Sequence, residues 1–160
     1  MSNIIAVDLS YRDTGIAIVE SHHGAATLIH AYNYVNPPMG YGFENLRTMA
    51  SNVYKTIDEI RLKAELFKAD VVLVEMPCFS QNAKAAIAVG LLWGAIVDLD
   101  YILVEPSFLK IWSGSKRGDH KAEVKAKVES MTCLDKKQLA NDNIVDSVAL
   151  GLAFCELINL

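Results

Sequence analysis

The chain has 160 residues and a mass of 17.6 kDa; 52% of its residues are apolar and 21% are charged, with 4 prolines and 9 glycines. This length and composition are typical of one globular domain spanning residues 1–160, and they exclude a disordered, collagen-like or low-complexity protein. The formal net charge of −4 argues against non-specific adhesion of the whole surface to polyanions.

The first third of the sequence predicts three short strands in a β-meander. Strand-forming residues make up Ile4–Leu9, Gly15–Glu20 and Thr27–Tyr34, and turn-forming residues separate these runs at 10–14 and 21–24. The three strands are therefore expected to pair antiparallel.

The middle of the chain predicts helices that alternate with short strands. After a loop at 36–42, apolar residues recur at steps of three and four, which predicts an amphipathic helix ending near Phe67. The run Val71–Val74 has no polar alternation, which is typical of a strand covered on both faces. A helix over Asn82–Val97, apolar on nearly all sides and so expected to be buried, precedes a strand over Tyr101–Val104.

The last third predicts two helices. One begins at Asp119 or His120, and the other runs from about Asn141 to Leu157. The order βββ-α-β-α-β-α-α predicts an α/β fold, because parallel strands need helical crossovers. We expect a mixed sheet, with three antiparallel strands followed by parallel strands, and helices on both faces.

Neither a membrane segment nor a cysteine framework is indicated. No apolar run approaches the roughly 20 residues that cross a bilayer, and no basic region precedes an apolar signal core, so we expect a cytoplasmic protein without membrane contact. The cysteines are odd in number, far apart and without C-x-x-C spacing, which predicts buried free thiols: Cys78, Cys133 and Cys155. Three histidines are predicted to lie on strands or at the surface: His22, His23 and His30.

Three acidic residues lie in apolar surroundings. Asp8 is inside the first strand, Glu75 ends Val71–Val74, and Asp146 belongs to an apolar helix. An unpaired buried carboxylate costs several kcal/mol, so each acid needs a compensating partner. One alternative is that each is satisfied by backbone N–H groups at a strand end or helix cap. The occurrence of three such acids favours a cation, and carboxylates without His or Cys suit Mg²⁺ or Mn²⁺.

Four short motifs follow one another along the chain. Residues 8–15 read Asp-Leu-Ser-Tyr-Arg-Asp-Thr-Gly; Val74-Glu75 precedes Asn82 and a helix of small residues; Pro106 and Lys110 precede Lys121–Val124; and residues 141–149 read Asn-Asp-Asn-Ile-Val-Asp-Ser-Val-Ala. In this order and spacing they resemble the RuvC-type Holliday-junction resolvases of the RNase H-like (retroviral integrase) superfamily, whose motifs begin with D-P-G-x-x-x-T-G and end with D-x-x-D-A-x-A. Leu9-Ser10 replaces the family's Pro-Gly, as in a divergent, phage-type member.

The resemblance implies an RNase H-like nuclease that resolves four-way DNA junctions by metal-dependent hydrolysis, giving symmetric nicks. It implies two Mg²⁺ or Mn²⁺ ions per active site, held by Asp8, Glu75 and Asp146, with Asp8 shared by both. Lys121 is the candidate for stabilising the phosphate or leaving group, and Lys110 is a second. Because paired cuts need two active sites, we expect a homodimer, with a candidate interface at Leu91, Leu92 and Trp93.

The fourth metal ligand is ambiguous. The family register places Asn143 at the first acid of D-x-x-D, whereas Asp142 lies one residue earlier. Positions three and four before Asp146 share its helix face, so spacing does not choose between them. Asp142 is also a candidate N-cap. We favour Asp142 as the ligand because an anionic oxygen holds a divalent ion more tightly than an amide oxygen.

Positive charge is concentrated in one segment. Between residues 110 and 127 there are six lysine and arginine residues against two acidic ones, a local balance of +4, which leaves −8 for the rest. Because Lys and Arg contacts to phosphate supply most affinity for DNA, this segment predicts a branched-DNA-binding face. Its candidate residues are Lys110, Lys116, Arg117, Lys121 and Lys125. Phe79 and Trp112 are candidates for stacking on bases or for packing in the core.

Other functions stay open. An RNase H-like nuclease acting on RNA or on other branched DNA is one, and a catalytically inactive junction-binding module is another, because Asn143 departs from the family pattern. An ATP-binding domain of the actin or sugar-kinase type has a similar Asp-then-Thr-Gly opening, but those folds duplicate the domain and this chain is too short for that.

Overall fold

The start of the chain forms the antiparallel half of a five-stranded sheet. The computed structural model describes residues 1–23, 25–37, 44–76, 83–97, 99–115 and 120–158. Strand β1 spans Ser2–Asp8, β2 spans Asp13–His22 and β3 spans Ala25–Val35. Both β1–β2 and β2–β3 are antiparallel pairs, as the sequence predicts.

Two parallel strands complete the sheet on the other side of β1. Strand β4 spans Val71–Glu75 and β5 spans Ile102–Val104, and the order across the sheet is β3-β2-β1-β4-β5. Helix α1, Glu44–Leu66, connects β3 to β4, and helix α2, Ala83–Ile96, connects β4 to β5. The mixed sheet expected from the element order is confirmed.

Helices cover both faces of the sheet, and each face has its own apolar core. On one face, Val53, Ile57 and Ile60 of α1 and Leu92 of α2 pack against alternate residues of β1, β2 and β4. On the other face, helix α6, Asp142–Ile158, packs along the sheet. The shorter helices between β5 and α6 contribute side chains to the same core. Val148, Ala149, Leu150, Leu152 and Ala153 of α6 are fully buried.

Four helices follow β5, where the sequence predicts two. The additional ones are α3, Ser107–Ser113, and α5, Lys136–Leu139; α4 spans Lys121–Met131. Both are too short to show a helical hydrophobic period. Local signals explain their ends: α3 stops at Gly114, whose φ of 71° suits glycine, and α5 begins with a capping box between Asp135 and Gln138.

Helix α6 lies unusually close to β2 at two glycines. A Cβ at Gly151 would lie 2.7 Å from Cγ2 of Val19, and a Cβ at Gly15 would overlap the backbone carbonyl of Asn143. Only glycine permits this separation without moving the helix. The first turn of α6 therefore packs directly against the backbone of β2, and the middle of α6 packs against the side chain of Val19.

Several side chains differ from the sequence expectations. Leu92 is 2% exposed and belongs to the core, so it is not available at a helix surface; the exposed side of α2 presents Ile87 instead, and the exposed Val97 directly follows the helix. That apolar side also corrects the expectation that α2 is wholly buried. Cys133 is exposed, whereas Cys155 is buried as predicted and Cys78 lies outside the described residues. Within the described ranges, no helix has both the length and the apolar character needed to span a membrane.

Candidate active site

Asp8 and Glu75 lie side by side where two parallel strands end. Val7 of β1 pairs with Val74 of β4, so Asp8 and Glu75 occupy the next position of the ladder. Residues alternate between the two faces along a strand. Since Ala6 and Leu73 belong to the core beneath α6, both carboxylates point toward the α6 face of the sheet.

Helix α6 brings a third acid to the same place. Asp146 lies one turn into α6 and is partly buried, preceded in sequence by the buried Ile144 and Val145. Its carboxylate interacts electrostatically with Asp8 and Glu75. The three acids that the sequence singled out are thus gathered from two strands and one helix.

Burial and mutual repulsion perturb the titration of all three groups. Desolvation, reinforced by Glu75 and Asp146, raises the pKa of Asp8 to about 8. Desolvation and the charge of Asp146 raise the pKa of Glu75 to about 7. Desolvation also raises the pKa of Asp146. Without a cation the cluster therefore retains protons near neutral pH.

Two basic side chains at the start of α4 oppose this negative charge. Lys121 donates from Nζ to Oδ2 of Asp142 at 2.9 Å, and its charge lowers the pKa of Asp8, Glu75 and Asp146 against the effect of burial. His120 acts in the same direction on Asp146. His120 was not among the predicted site residues, although it directly precedes the predicted site residue Lys121 in the sequence.

Contacts in the first turn of α6 distinguish Asp142 from Asn143, the two candidates for the fourth metal ligand. The N-cap is Asn141, whose Oδ1 accepts from the N–H of Ile144 at 3.2 Å, so the capping role considered for Asp142 is wrong. Asp142 is exposed, and its charge raises the pKa of Asp8 and Asp146. Asn143 instead points to β2, where its Nδ2 donates to the carbonyl of Asp13 at 2.8 Å.

The basic segment is divided between an exposed part and an internal part. Lys110 and Lys125 are exposed. Lys127 lies 4.2 Å from the ring centre of Trp112, and its Nζ bonds the carbonyl of Trp112 and the carboxylate of Glu156. Trp112 is 4% exposed and donates from Nε1 to Glu156 at 2.6 Å, so it packs in the core. Three further predicted DNA contacts lie outside the described residues: Phe79, Lys116 and Arg117.

The donor set fits a hard divalent cation in its chemistry. Carboxylate oxygens from Asp8, Glu75, Asp146 and Asp142 are the ligands that Mg²⁺ and Mn²⁺ prefer. Within the described part of the chain, no group of three or more His, Cys, Asp or Glu side chains lies close enough together to hold a metal ion. The acids are near enough for their charges to interact, and they carry the repulsion that a cation would relieve.

Comparison with solved structures shows which fold this arrangement belongs to. RuvC from Thermus thermophilus, in complex with a Holliday junction substrate, superposes with a TM-score of 0.72 at 16% identity, covering 98% of this chain and 94% of that one. The yeast mitochondrial Holliday junction resolvase Ydc2 gives 0.66 at 11% identity, covering 97% and 78%. Fowlpox virus resolvase with substrate Holliday junction DNA gives 0.57 at 18% identity, covering 98% of both chains.

Sequence comparison adds no relatives to these. No family model matches the chain, and no curated protein matches it. The structural likeness shows that the chain has the RNase H-like fold of RuvC, which confirms the fold class expected from the motifs.

The perturbed carboxyl groups predict that the metal-free protein loses stability as pH rises. The folded pKa of Asp8 is about 8 and that of Glu75 about 7, both above their ordinary values near 4, so the folded state binds these protons more tightly than the unfolded state. Their stabilising contribution is complete below pH 4 and disappears as pH rises through 7 and 8. Thermal unfolding in EDTA should show Asp8→Asn melting several degrees above the wild type at pH 9, and much closer to it at pH 5.

The matched control for this measurement is Asp100→Asn. Asp100 is an exposed acid that precedes β5, at the opposite end of the parallel strands. Its replacement should leave the pH dependence of Tm unchanged. A wild-type difference between pH 5 and pH 9 that Asp8→Asn does not reduce would contradict the assigned desolvation of Asp8.

Proposed function

We propose that this chain is a divalent-metal-dependent endonuclease that resolves four-way DNA junctions. The observation that carries the proposal is the cluster of three desolvated, mutually repelling carboxylates, two at the carboxyl ends of β1 and β4 and one on α6. Ligands bind at this edge of α/β sheets. The fold is shared with T. thermophilus RuvC and fowlpox virus resolvase, both solved with Holliday junction DNA.

The chain's own residues supply the parts that phosphodiester hydrolysis needs. Asp8, Glu75 and Asp146 would hold two Mg²⁺ or Mn²⁺ ions, with Asp142 as the fourth ligand. When bound, such ions activate a water molecule and offset charge on the scissile phosphate and the leaving oxygen. The charges of both Glu75 and Asp146 act on Asp8, which favours it as the ligand that both ions would share.

Lys121 is the proposed electrostatic stabiliser of the reacting phosphate. Its ammonium group is exposed, it lies at the first position of α4, and it interacts with all three desolvated acids. A cation fixed at that place opposes the negative charge that develops on the phosphate. Asp142 pairs with Lys121 at 2.9 Å on this side of the site.

DNA would approach along the segment that joins α3 to α4. Lys110 of α3 and Lys125 of α4 present exposed charges in the helices before and after it, and we propose that Lys116 and Arg117 add to them. Phe79 is proposed to stack on bases near the cut. Because the rest of the chain carries a net charge of −8, repulsion elsewhere would confine the DNA to this face.

We further propose a two-fold homodimer, because symmetric nicks in a four-way junction require two active sites. The exposed apolar side of α2 supports this arrangement. Ile87 is 48% exposed, Val97, the residue directly after the helix, is 71% exposed, and Gly90 and Gly94 are exposed between them. Because Leu92 belongs to the core, we propose these residues in its place in the interface expected at Leu91, Leu92 and Trp93.

Two other functions compete with this one. A nuclease of the same fold could act on RNA or on other branched DNA, since none of the described side chains is assigned to reading a 2′-OH. A junction-binding protein without activity is favoured by Asn143, which stands where the resolvase motif has an acid and which bonds a backbone carbonyl instead.

Cleavage of labelled DNA tests the proposal. Wild-type protein with Mg²⁺ should cut a four-way junction in paired, symmetric positions, and EDTA should stop the reaction. Asp8→Asn and Glu75→Gln should each reduce cleavage by about 10²-fold or more while binding the junction equally or more tightly, because each removes negative charge near phosphates. Asp100→Asn is the control that should cut normally.

The competing functions give different results in the same assay. Preferential cutting of an RNA–DNA hybrid or of a flap would support the first alternative, a nuclease that acts on RNA or on other branched DNA. Binding without any metal-dependent cutting would support the inactive module. A loss of junction binding in Asp8→Asn that accompanies the loss of cutting would contradict the metal-site assignment.

The DNA face predicts a specific salt dependence. Each phosphate contact contributes nearly one unit to the slope of log affinity against log salt concentration, so Lys116→Glu with Arg117→Glu should reduce that slope by about two. Lys136→Glu with Lys137→Glu is the matched control, since these exposed lysines lie on α5 outside the basic segment. Junction binding measured over a salt series checks this, and an unchanged slope in the first variant would place the DNA elsewhere.

A further inference from the structure

We infer that Asn143 and Gly15 are positioning residues that set the distance between Asp8 and the acids of α6. The inference rests on the proposed metal-dependent function. The resolvase motif places a metal ligand at position 143, whereas here Asn143 is assigned a positioning role. Two separate contacts between the first turn of α6 and β2 support it.

The first contact is steric and involves the cross-strand neighbour of Asp8. Gly15 is paired with Asp8 in the β1–β2 ladder. A Cβ at Gly15 would overlap the carbonyl group of Asn143 and would lie 3.1 Å from Oγ of Ser147. Backbone atoms cannot give way as a flexible side chain can, so any residue larger than glycine displaces the first turn of α6. That turn carries Asp142 and leads directly to Asp146.

The second contact is a directional hydrogen bond made by the side chain of Asn143. Its Nδ2 donates to the carbonyl of Asp13, the first residue of β2, at 2.8 Å in a half-buried position. A carboxylate at position 143 has no hydrogen to donate and would face a carbonyl oxygen. This bond therefore requires a hydrogen-bond donor, which the amide of Asn143 supplies. The adjacent Asp142 remains exposed beside Lys121 and electrostatically coupled to Asp8.

The segment that receives Asn143 is itself fixed. In the loop between Asp8 and Asp13, Oγ1 of Thr14 donates to the carbonyl of Ser10 at 2.6 Å. Asn36 reaches the same loop twice, from its N–H to the carbonyl of Arg12 and from its Nδ2 to the carbonyl of Tyr11, both at 2.8 Å. The Asp13 carbonyl is thus a stable anchor, and the bond from Asn143 transmits the position of β2 to α6.

Asn143→Asp separates the positioning role from the ligand role because the two predict opposite changes. If the side chain oxygen of residue 143 bound metal, a carboxylate would bind it as tightly or more tightly. If the residue positions α6 through its N–H donor, the variant loses the bond and repels Asp13, so metal affinity should fall at least tenfold. The measurement is a Mn²⁺ titration of the full chain, followed by electron paramagnetic resonance of the free ion, with Tm recorded in parallel.

Gly15→Ala and Gly151→Ala form a matched pair for the steric contact. Both add one methyl group between α6 and β2, and both should lower Tm. Gly15→Ala displaces the turn next to Asp8 and should weaken Mn²⁺ binding at least tenfold. Gly151→Ala meets Val19 more than one turn beyond Asp146 and should leave Mn²⁺ affinity within twofold of the wild type.

The outcomes distinguish this inference from the proposed function. Wild-type protein that binds no Mn²⁺ would contradict the function itself. Wild-type binding that Asn143→Asp strengthens or leaves unchanged would overturn the positioning role, as would equal Mn²⁺ affinity in Gly15→Ala and Gly151→Ala. Asn143→Asp keeps the test decisive if Gly15→Ala does not fold, because it adds no atom to the helix–strand contact.

Discussion

The rest of the structure depends on the cost of holding like charges together with little water around them. Asp8, Glu75 and Asp146 share one edge of the sheet, and both desolvation and mutual repulsion disfavour their ionised forms. Retained protons and the positive charge of Lys121 offset part of this cost. A divalent ion would meet it better, which is why this edge is the proposed reaction centre.

The surrounding fold is arranged to keep these groups in place. Adjacent parallel strands align Asp8 with Glu75, and close contact at Gly15 and Gly151 seats α6 on β2. At the far end of α6, Glu156 accepts from Trp112 and pairs with Lys127 of α4. Helix α4, which carries Lys121, is therefore connected through Lys127 to Trp112 of α3 and to Glu156 of α6.

The sequence predicted a mixed sheet of three antiparallel strands followed by parallel strands, with crossover helices. It also singled out the three acids that the fold brings together, because an ionisable residue in an apolar strand or helix has few structural explanations. It could not predict α3 and α5, which are too short to show a period, or the burial of Leu92 and the exposure of Cys133. The bond from Asn143 to Asp13 joins residues 130 positions apart, so only the folded chain reveals it. Spacing along the helix does not distinguish Asn143 from Asp142 as a candidate metal ligand. Their tertiary contacts do, because Asn143 bonds Asp13 and Asp142 pairs with Lys121.

A crystal structure of the wild-type chain grown with Mn²⁺, with anomalous scattering used to locate the ions, tests the central claim most directly. The account predicts anomalous peaks bridged by Asp8 and shared among Glu75, Asp146 and Asp142, with the amide of Asn143 still donating to the Asp13 carbonyl. An absence of peaks at this edge of the sheet, or an ion coordinated by Asn143 in place of Asp142, would contradict it.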